Sequence, residues 1–204
     1  MISLPSTTRV DRRLPKEAFY SHLKLNAKQK DEFVHVIDQI RIANSIKPTT
    51  MHLADGEIAH EILVIDVLLK QEQVPESALC AIAQANDHQL VFNCIYGDKK
   101  AYAVYRKGEL WTTDWHADGD MTLAPQGPSL DEVWDSFCGG IVFGDCSITD
   151  IDARIERERA IRALDEEIAK LERKHGNEKQ PLNRNELFKQ LKEARARRDA
   201  LMEG

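Results

Sequence analysis

Several features that often reveal a protein's chemistry are scarce in this sequence of 204 residues. Aromatic residues make up 6% of the chain, and its four cysteines are widely spaced with no CxxC pair. In a chain of this size, such spacing favours reduced thiols over a disulfide framework. No apolar run approaches the roughly 18 to 20 residues of a membrane span, and the first residues lack the apolar segment of a secretory signal. We therefore expect a cytoplasmic protein with no membrane partner.

The motifs of the common enzyme classes are also missing. The sequence contains no GxSxG, no GxxxxGK and no GxGxxG pattern. The sequence therefore does not indicate acyl transfer by a nucleophile elbow, nucleotide hydrolysis by a P-loop or Rossmann-type cofactor binding. We expect no cofactor and no catalytic residues, and the search for function turns to weaker patterns.

Charge is distributed unevenly along the chain. The whole sequence has a net charge of −6, but residues 150–204 contain 14 Lys/Arg and 13 Asp/Glu and carry +1. The first 149 residues are therefore acidic, at −7, and have the composition of a globular domain. About half of the last 55 residues are charged, which is typical of long solvated helices. This contrast predicts a core domain over residues 1–148 and a separate segment over 149–204.

The order of elements in the first segment predicts an α+β fold. Apolar residues at steps of three and four favour a helix over 26–46, and a short helix is expected over 14–20. The β-branched run 62–69 predicts a central strand covered on both faces. A helix with Ser129 as its N-cap should follow a three-strand antiparallel meander. We predict a mixed sheet of about four strands with flanking helices, its strands lying at 62–69, 90–96, 101–105 and 110–115.

The last segment has the pattern of an antiparallel helical hairpin. Apolar residues recur at coiled-coil spacing, and Gly176 is expected to end the first helix. Two paired helices bury little surface alone, so we expect this coiled-coil-like hairpin to pack on the core, on a second copy or on a larger protein. The residues proposed to bind a partner are Ile161, Leu164, Ile168, Leu187 and Leu191.

One alternative is a divergent metal-dependent nuclease. Such enzymes hold a metal with two carboxylates and place a lysine beside the attacking water. Asp66 lies in the apolar strand, with Glu61 before it and Lys70 after it. Residues four apart on a strand are separated by about 13 Å, so Asp66 and Lys70 do not share a metal by spacing alone. A buried carboxylate paired with a basic group is the competing interpretation of Asp66.

A weak metal-binding pattern lies near the end of the predicted meander. His116, Asp118 and Asp120 form an H-x-D-x-D sequence, and imidazole with carboxylates can hold a divalent cation. No second histidine follows at ligand spacing, and Asp-Gly-Asp is common in loops. We therefore favour a solvated loop.

The second hairpin helix is locally basic. Contact with a phosphate backbone is one interpretation of this charge. The other interpretation is that these residues form ion pairs with acidic residues of the first helix, namely Asp165, Glu166, Glu167 and Glu172. The negative net charge of the whole protein favours this second interpretation. Contact with nucleic acid would then be indirect. The basic residues concerned are Lys189, Lys192, Arg195, Arg197 and Arg198.

The amino-acid sequences of several segments, and their order along the chain, resemble those of a bacterial family, the domain-of-unknown-function 4391 family. The similar stretches include the sequence from Val10 to Tyr20, the run from Glu61 to Lys70, and the segments 90–96 and 127–134. The charged terminal hairpin also falls at the corresponding place. In this chain Ala85-Asn86-Asp87-His88 stands where members tend to have Ile-Pro-Tyr-Pro. The resemblance implies a small protein encoded near DNA methyltransferases and helicases of restriction-like defence loci.

From these observations we expect a non-catalytic accessory or scaffold subunit. It would dock onto a larger helicase- or methyltransferase-type partner through the hairpin, within a DNA-processing or anti-phage defence system. A homodimer through the hairpin, a nuclease centred on Asp66 and a DNA-binding module that uses the basic helix remain the alternatives.

Overall fold

The computed structural model describes residues 1–16, 19 and 23–203. The chain divides into two compact units, Met1–Ile151 and Asp152–Gly204. Among the described residues, no helix is both long enough and apolar enough to cross a membrane.

The described residues form seven strands and six α-helices. The strands are β1 (Arg9–Leu14), β2 (Ile37–Ile46), β3 (Ile62–Leu69), β4 (Gln89–Tyr96), β5 (Lys99–Arg106), β6 (Glu109–Thr112) and β7 (His116–Ala117). The helices are α1 (Ala27–Asp31), α2 (Pro48–Met51), α3 (Glu76–Gln84), α4 (Leu130–Val142), α5 (Ile151–Asn177) and α6 (Pro181–Glu203). A π-helical turn, Glu32–Val36, connects α1 to β2.

All seven strands belong to one mixed sheet in the first unit. Its order is β1-β2-β3-β4-β5-β6, and β7 pairs with β5. The β3 and β4 strands are parallel and are connected through α3, whereas the other neighbours are antiparallel. The predicted α+β class and the antiparallel meander, β4-β5-β6, are confirmed. The prediction of about four strands was an undercount, because β1, β2 and β7 were not recognised.

The β3 strand lies in the middle of the sheet because both of its faces are apolar. Leu63, Ile65 and Val67 pack in one core cluster with Leu79 and Ile82 of α3. The alternate side chains, such as Ile62 and Val64, are equally buried. They point to the opposite face, since successive side chains of a strand alternate. On that face an ion pair connects Arg106 of β5 to Asp135 of α4.

The helix predicted over 26–46 was wrong in its second half. Asn26 does cap a helix, α1, with a capping box to Gln29. From Ile37 onward, however, the chain is strand β2. Register shifts at Ile37/Gln39 and at Ile42/Asn44 interrupt its pairing with β3. Such irregularities place buried residues three apart and hide the period of two that identifies a strand.

The N-terminus of α4 holds a neighbouring loop in place. Ser129 caps the helix as predicted, through a capping box with Glu132. The Asp131 carboxylate then accepts backbone N–H bonds from Glu57 at 2.7 Å, Ile58 at 3.1 Å and Ala59 at 2.7 Å. Burial opposes ionisation, but these three bonds lower the pKa of Asp131 below its usual value.

The second unit is a pair of antiparallel helices. Ile168 and Leu171 of α5 pack against Leu191 and Ala194 of α6, and Leu187 joins this seam. Pro181 is the first residue of α6. Proline is tolerated there because the N–H groups of the first helical turn have no acceptor within the helix. Gly176 does not end α5, since the helix continues through Asn177. Part of the predicted short helix over 14–20 lies outside the described residues. Its first residue, Leu14, is the last residue of strand β1.

Candidate functional site

A row of polar side chains crosses four strands of the sheet on the face that α4 covers. The strand register pairs Arg41 of β2 with Asp66 of β3, Asp66 with Asn93 of β4, and Asn93 with Tyr102 of β5. Residues paired in this way project from the same face of a sheet. We call these four residues the polar row. It interrupts a surface that is otherwise filled by apolar side chains such as Val64 and Val104.

Asp66 is the centre of the polar row. Its side chain is 10% exposed and receives a bond from Nη2 of Arg41 at 2.9 Å. Nδ2 of Asn93 donates to its other oxygen at 2.8 Å. Nη1 of Arg41 also lies 3.1 Å from a carboxylate oxygen of Asp11 on β1. Both oxygens of Asp66 are therefore engaged by protein donors, which is the arrangement that a buried carboxylate requires.

Polar atoms with no described partner lie along the same row. Within the described residues, Nε of Arg41, Oδ1 of Asn93 and the Tyr102 hydroxyl are buried without a hydrogen bond. The His116 ring on β7 packs against Tyr102 with centroids 5.2 Å apart, and its Nε2 is also unpartnered. Its Nδ1 lies 3.2 Å from the Asp114 carbonyl oxygen, and because a carbonyl oxygen can only accept, Nδ1 is the donor of this bond.

The electrostatics of the polar row disfavour a charged tyrosine. Burial raises the pKa of Tyr102 to about 12, and the carboxylates of Asp118 and Asp66 add to the shift. Tyr102 therefore stays neutral at physiological pH and offers only a hydroxyl.

The residues of the nuclease hypothesis do not meet. Glu61 accepts a bond from the Ser45 hydroxyl at 2.6 Å, and its other oxygen lies 3.3 Å from Nζ of Lys47. Nζ of Lys70 donates to the Val34 carbonyl at 2.7 Å, away from the partners of Asp66. Each of the three residues has separate partners, and the structure brings no pair of them into contact.

The His116, Asp118 and Asp120 sequence also separates into different roles. His116 packs on Tyr102, whereas Asp118 pairs with Nζ of Lys100 at 2.7 Å. The Asp120 backbone N–H bonds the Ala117 carbonyl in a turn, and its side chain is exposed. Across the described residues, no group of three or more His, Cys, Asp or Glu is arranged to hold a metal ion.

The apolar hairpin residues proposed to bind a partner divide into two sets. Ile168, Leu187 and Leu191 contact one another in the seam of the hairpin. Ile161 and Leu164 are half-buried. The surface of the hairpin instead presents Leu182, Phe188 and Met202, which are 84%, 57% and 65% exposed. Sequence spacing did not single out these three, because a coiled-coil pattern assigns apolar residues to the seam.

The basic residues of α6 have two environments. Arg195, Arg197 and Arg198 pair with Glu172, Glu167 and Asp165 of α5 at 2.6, 3.3 and 3.5 Å. Lys189 and Lys192 make no ion pair with the described part of the chain. The two lysines therefore remain available to another molecule.

The family assignment rests on a match over nearly the whole chain. The family model described as "Domain of unknown function (DUF4391)" matches residues 2–197. The chain belongs to this family. The match spans both units, so sheet and hairpin together are the family's domain. Comparison with curated proteins and with solved structures found no match.

In this family member, the two candidate regions differ in what they offer another molecule. The Asp66 carboxylate at the centre of the polar row is buried, and both of its oxygens already accept from Arg41 and Asn93. The outer surface of α6 carries exposed apolar side chains and unpaired lysines. The second region has the features of a contact surface.

Proposed function

We propose that this protein is a non-catalytic accessory subunit of a bacterial DNA-processing or anti-phage defence system in the cytoplasm. It holds a larger helicase- or methyltransferase-type protein through the C-terminal hairpin. The setting follows from the family resemblance, which implies genes beside DNA methyltransferases and helicases. The observation that carries the proposal is a helix whose seam is already filled and whose outward face still presents a large apolar side chain, Leu182.

The outward face of α6 is the surface we assign to this partner. Leu182, Lys189 and Ala196 are spaced by seven residues, or about two helical turns, so they share one side of the helix. That side is opposite the seam residue Leu191. Leu182 is 84% exposed, and Lys189 has no ion pair among the described residues. An exposed apolar anchor next to a free cation suits a partner surface that has an apolar pocket with an acidic rim.

The test is affinity purification of the tagged full-length protein from its host. We expect a helicase- or methyltransferase-type polypeptide in comparable molar amount, identified by mass spectrometry. Leu182→Glu combined with Lys189→Glu should remove it. The matched control is Ile58→Glu, an acidic substitution at a residue of the first unit that is 70% exposed. Loss of the partner from the control alone, or its retention by the hairpin variant, would contradict the proposal.

A cleavage assay examines the nuclease alternative directly. We expect the purified protein to leave DNA intact in the presence of Mg²⁺ or Mn²⁺, because both oxygens of Asp66 already accept protein hydrogen bonds. Cleavage that Asp66→Ala abolishes without unfolding the protein would overturn the non-catalytic assignment.

A further inference from the structure

A second surface of α6 lies beside the outward face and has a different character. Five residues spaced by four, three, four and three positions form a continuous stripe along the helix. We call this stripe the Phe188 flank. It consists of Phe188, Lys192, Arg195, Asp199 and Met202.

The Phe188 flank is accessible and grooved. Phe188 and Met202, at its two ends, are both more than half exposed. Phe188, Lys192 and Asp199 line a groove of about 300 Å³, with Leu191 and Ala196 contributing to its walls. The flank therefore combines an exposed apolar residue at each end with a groove lined by charged side chains.

The order of residues along the flank is self-complementary on either side of Arg195, whose charge is paired with Glu172 of its own hairpin. Reading from one end gives an apolar residue, a cation, a central arginine, an anion and an apolar residue. A twofold axis passing beside Arg195 and Ala196 would bring a second α6 alongside in the opposite direction. Lys192 then lies opposite Asp199 of the second copy, and Phe188 lies near Met202 of that copy. Each contact occurs twice, as in any twofold interface.

From this complementarity we infer that the occupant of the Phe188 flank is a second copy of this chain. The two hairpins form an antiparallel dimer held by two Lys192–Asp199 pairs and two Phe188–Met202 contacts. Within the described residues Lys192 has no other ion pair, and Asp199 pairs with its neighbour Arg198 at 2.7 Å. The inference does not rest on the proposed function, because the larger partner is assigned to the outward face of α6.

Molar mass measured by light scattering at increasing concentrations of the full-length protein tests the dimer. We expect the wild type to approach twice the monomer mass. Lys192→Glu or Asp199→Lys converts two attractive pairs into two repulsive ones, which should weaken the dimer at least about tenfold. Phe188→Glu should also give a monomer. Lys189→Glu, a charge reversal on the outward face, is the matched control and should leave the dimer intact.

Mixing the two single variants gives the most specific result. A Lys192→Glu chain and an Asp199→Lys chain restore both attractive pairs with each other, so the mixture should dimerise more tightly than either variant alone. The double variant K192E/D199K should dimerise for the same reason. Circular dichroism shows whether each variant keeps its helices. A wild type that is monomeric at every concentration, or folded variants that fail to combine, would overturn the inference.

Discussion

Ion pairs of the same chemical kind have different surroundings in the two units. In the sheet, the Asp66 carboxylate is 10% exposed and is held by Arg41 and Asn93. In the hairpin, Arg195 and Glu172 approach to 2.6 Å, but about half of each side chain is in water. Charges that have lost their water depend on their partners, whereas solvated charges contribute little to stability. We therefore expect the Arg41–Asp66 pair to stabilise the sheet. We expect the Arg195–Glu172 pair to contribute little to the stability of the hairpin.

The largest effect should come from removing the partner of the buried carboxylate. Arg41→Ala leaves Asp66 with Asn93 as its remaining donor. We expect a loss of about 2 to 3 kcal/mol, less than for a fully buried pair because Arg41 is itself 37% exposed. Urea unfolding followed by tryptophan fluorescence measures it, since Trp111, Trp115 and Trp134 all lie in the first unit. A loss below about 0.5 kcal/mol would show that Asp66 needs no partner.

An intermediate effect that depends on pH should follow from Asp131→Asn. Because the folded pKa of Asp131 is lowered, its ionised form stabilises the protein above the unfolded pKa of about 3.9. This contribution is lost as the pH falls through the folded pKa. We expect the variant to be less stable by about 1 kcal/mol near pH 7. The difference should shrink below pH ~4. A difference that stays constant from pH 7 to pH 3 would contradict the role of the carboxylate charge.

A small effect should come from the matched change in the hairpin. Arg195→Ala removes the pair with Glu172, and both side chains are half exposed. We expect a loss of less than about 1 kcal/mol, seen in the helical circular dichroism signal and absent from the tryptophan signal. A loss as large as that of Arg41→Ala would remove the contrast between the two units.

The smallest effect is expected at the end of the polar row. The Tyr102 hydroxyl is buried with no hydrogen bond to the described residues. Tyr102→Phe removes this polar group, so stability should stay the same or rise by up to ~1 kcal/mol. A clear loss of stability would instead show that the hydroxyl has a partner, such as an ordered water.

The elements that could be predicted from the sequence are those with regular patterns. The apolar run that became β3, the Ser129 cap and the hairpin all have patterns that depend on neighbours in the chain. Strand β2 was missed because its bulges break the alternation, and β1 was missed because nearly all of it is exposed and charged. Edge strands of this kind lack the apolar face that identifies a strand.

The site residues show the same limit. Asp66 could be recognised as a buried carboxylate from its apolar surroundings. Its partners Arg41 and Asn93 come from two other strands, 25 and 27 residues away, so only the register of the sheet reveals them. On the hairpin, spacing identified the seam, but the exposed apolar residues of α6 became visible only once the helix faces were known.

We propose that a larger protein contacts the hairpin and not the polar row. The most direct test co-expresses Leu182→Glu or Tyr102→Phe with the helicase- or methyltransferase-type partner that affinity purification identifies, and measures the molar mass of the complex by light scattering. We predict that Tyr102→Phe keeps the complex and that Leu182→Glu loses it while remaining folded. A complex that survives Leu182→Glu but disappears with Tyr102→Phe would contradict the claim.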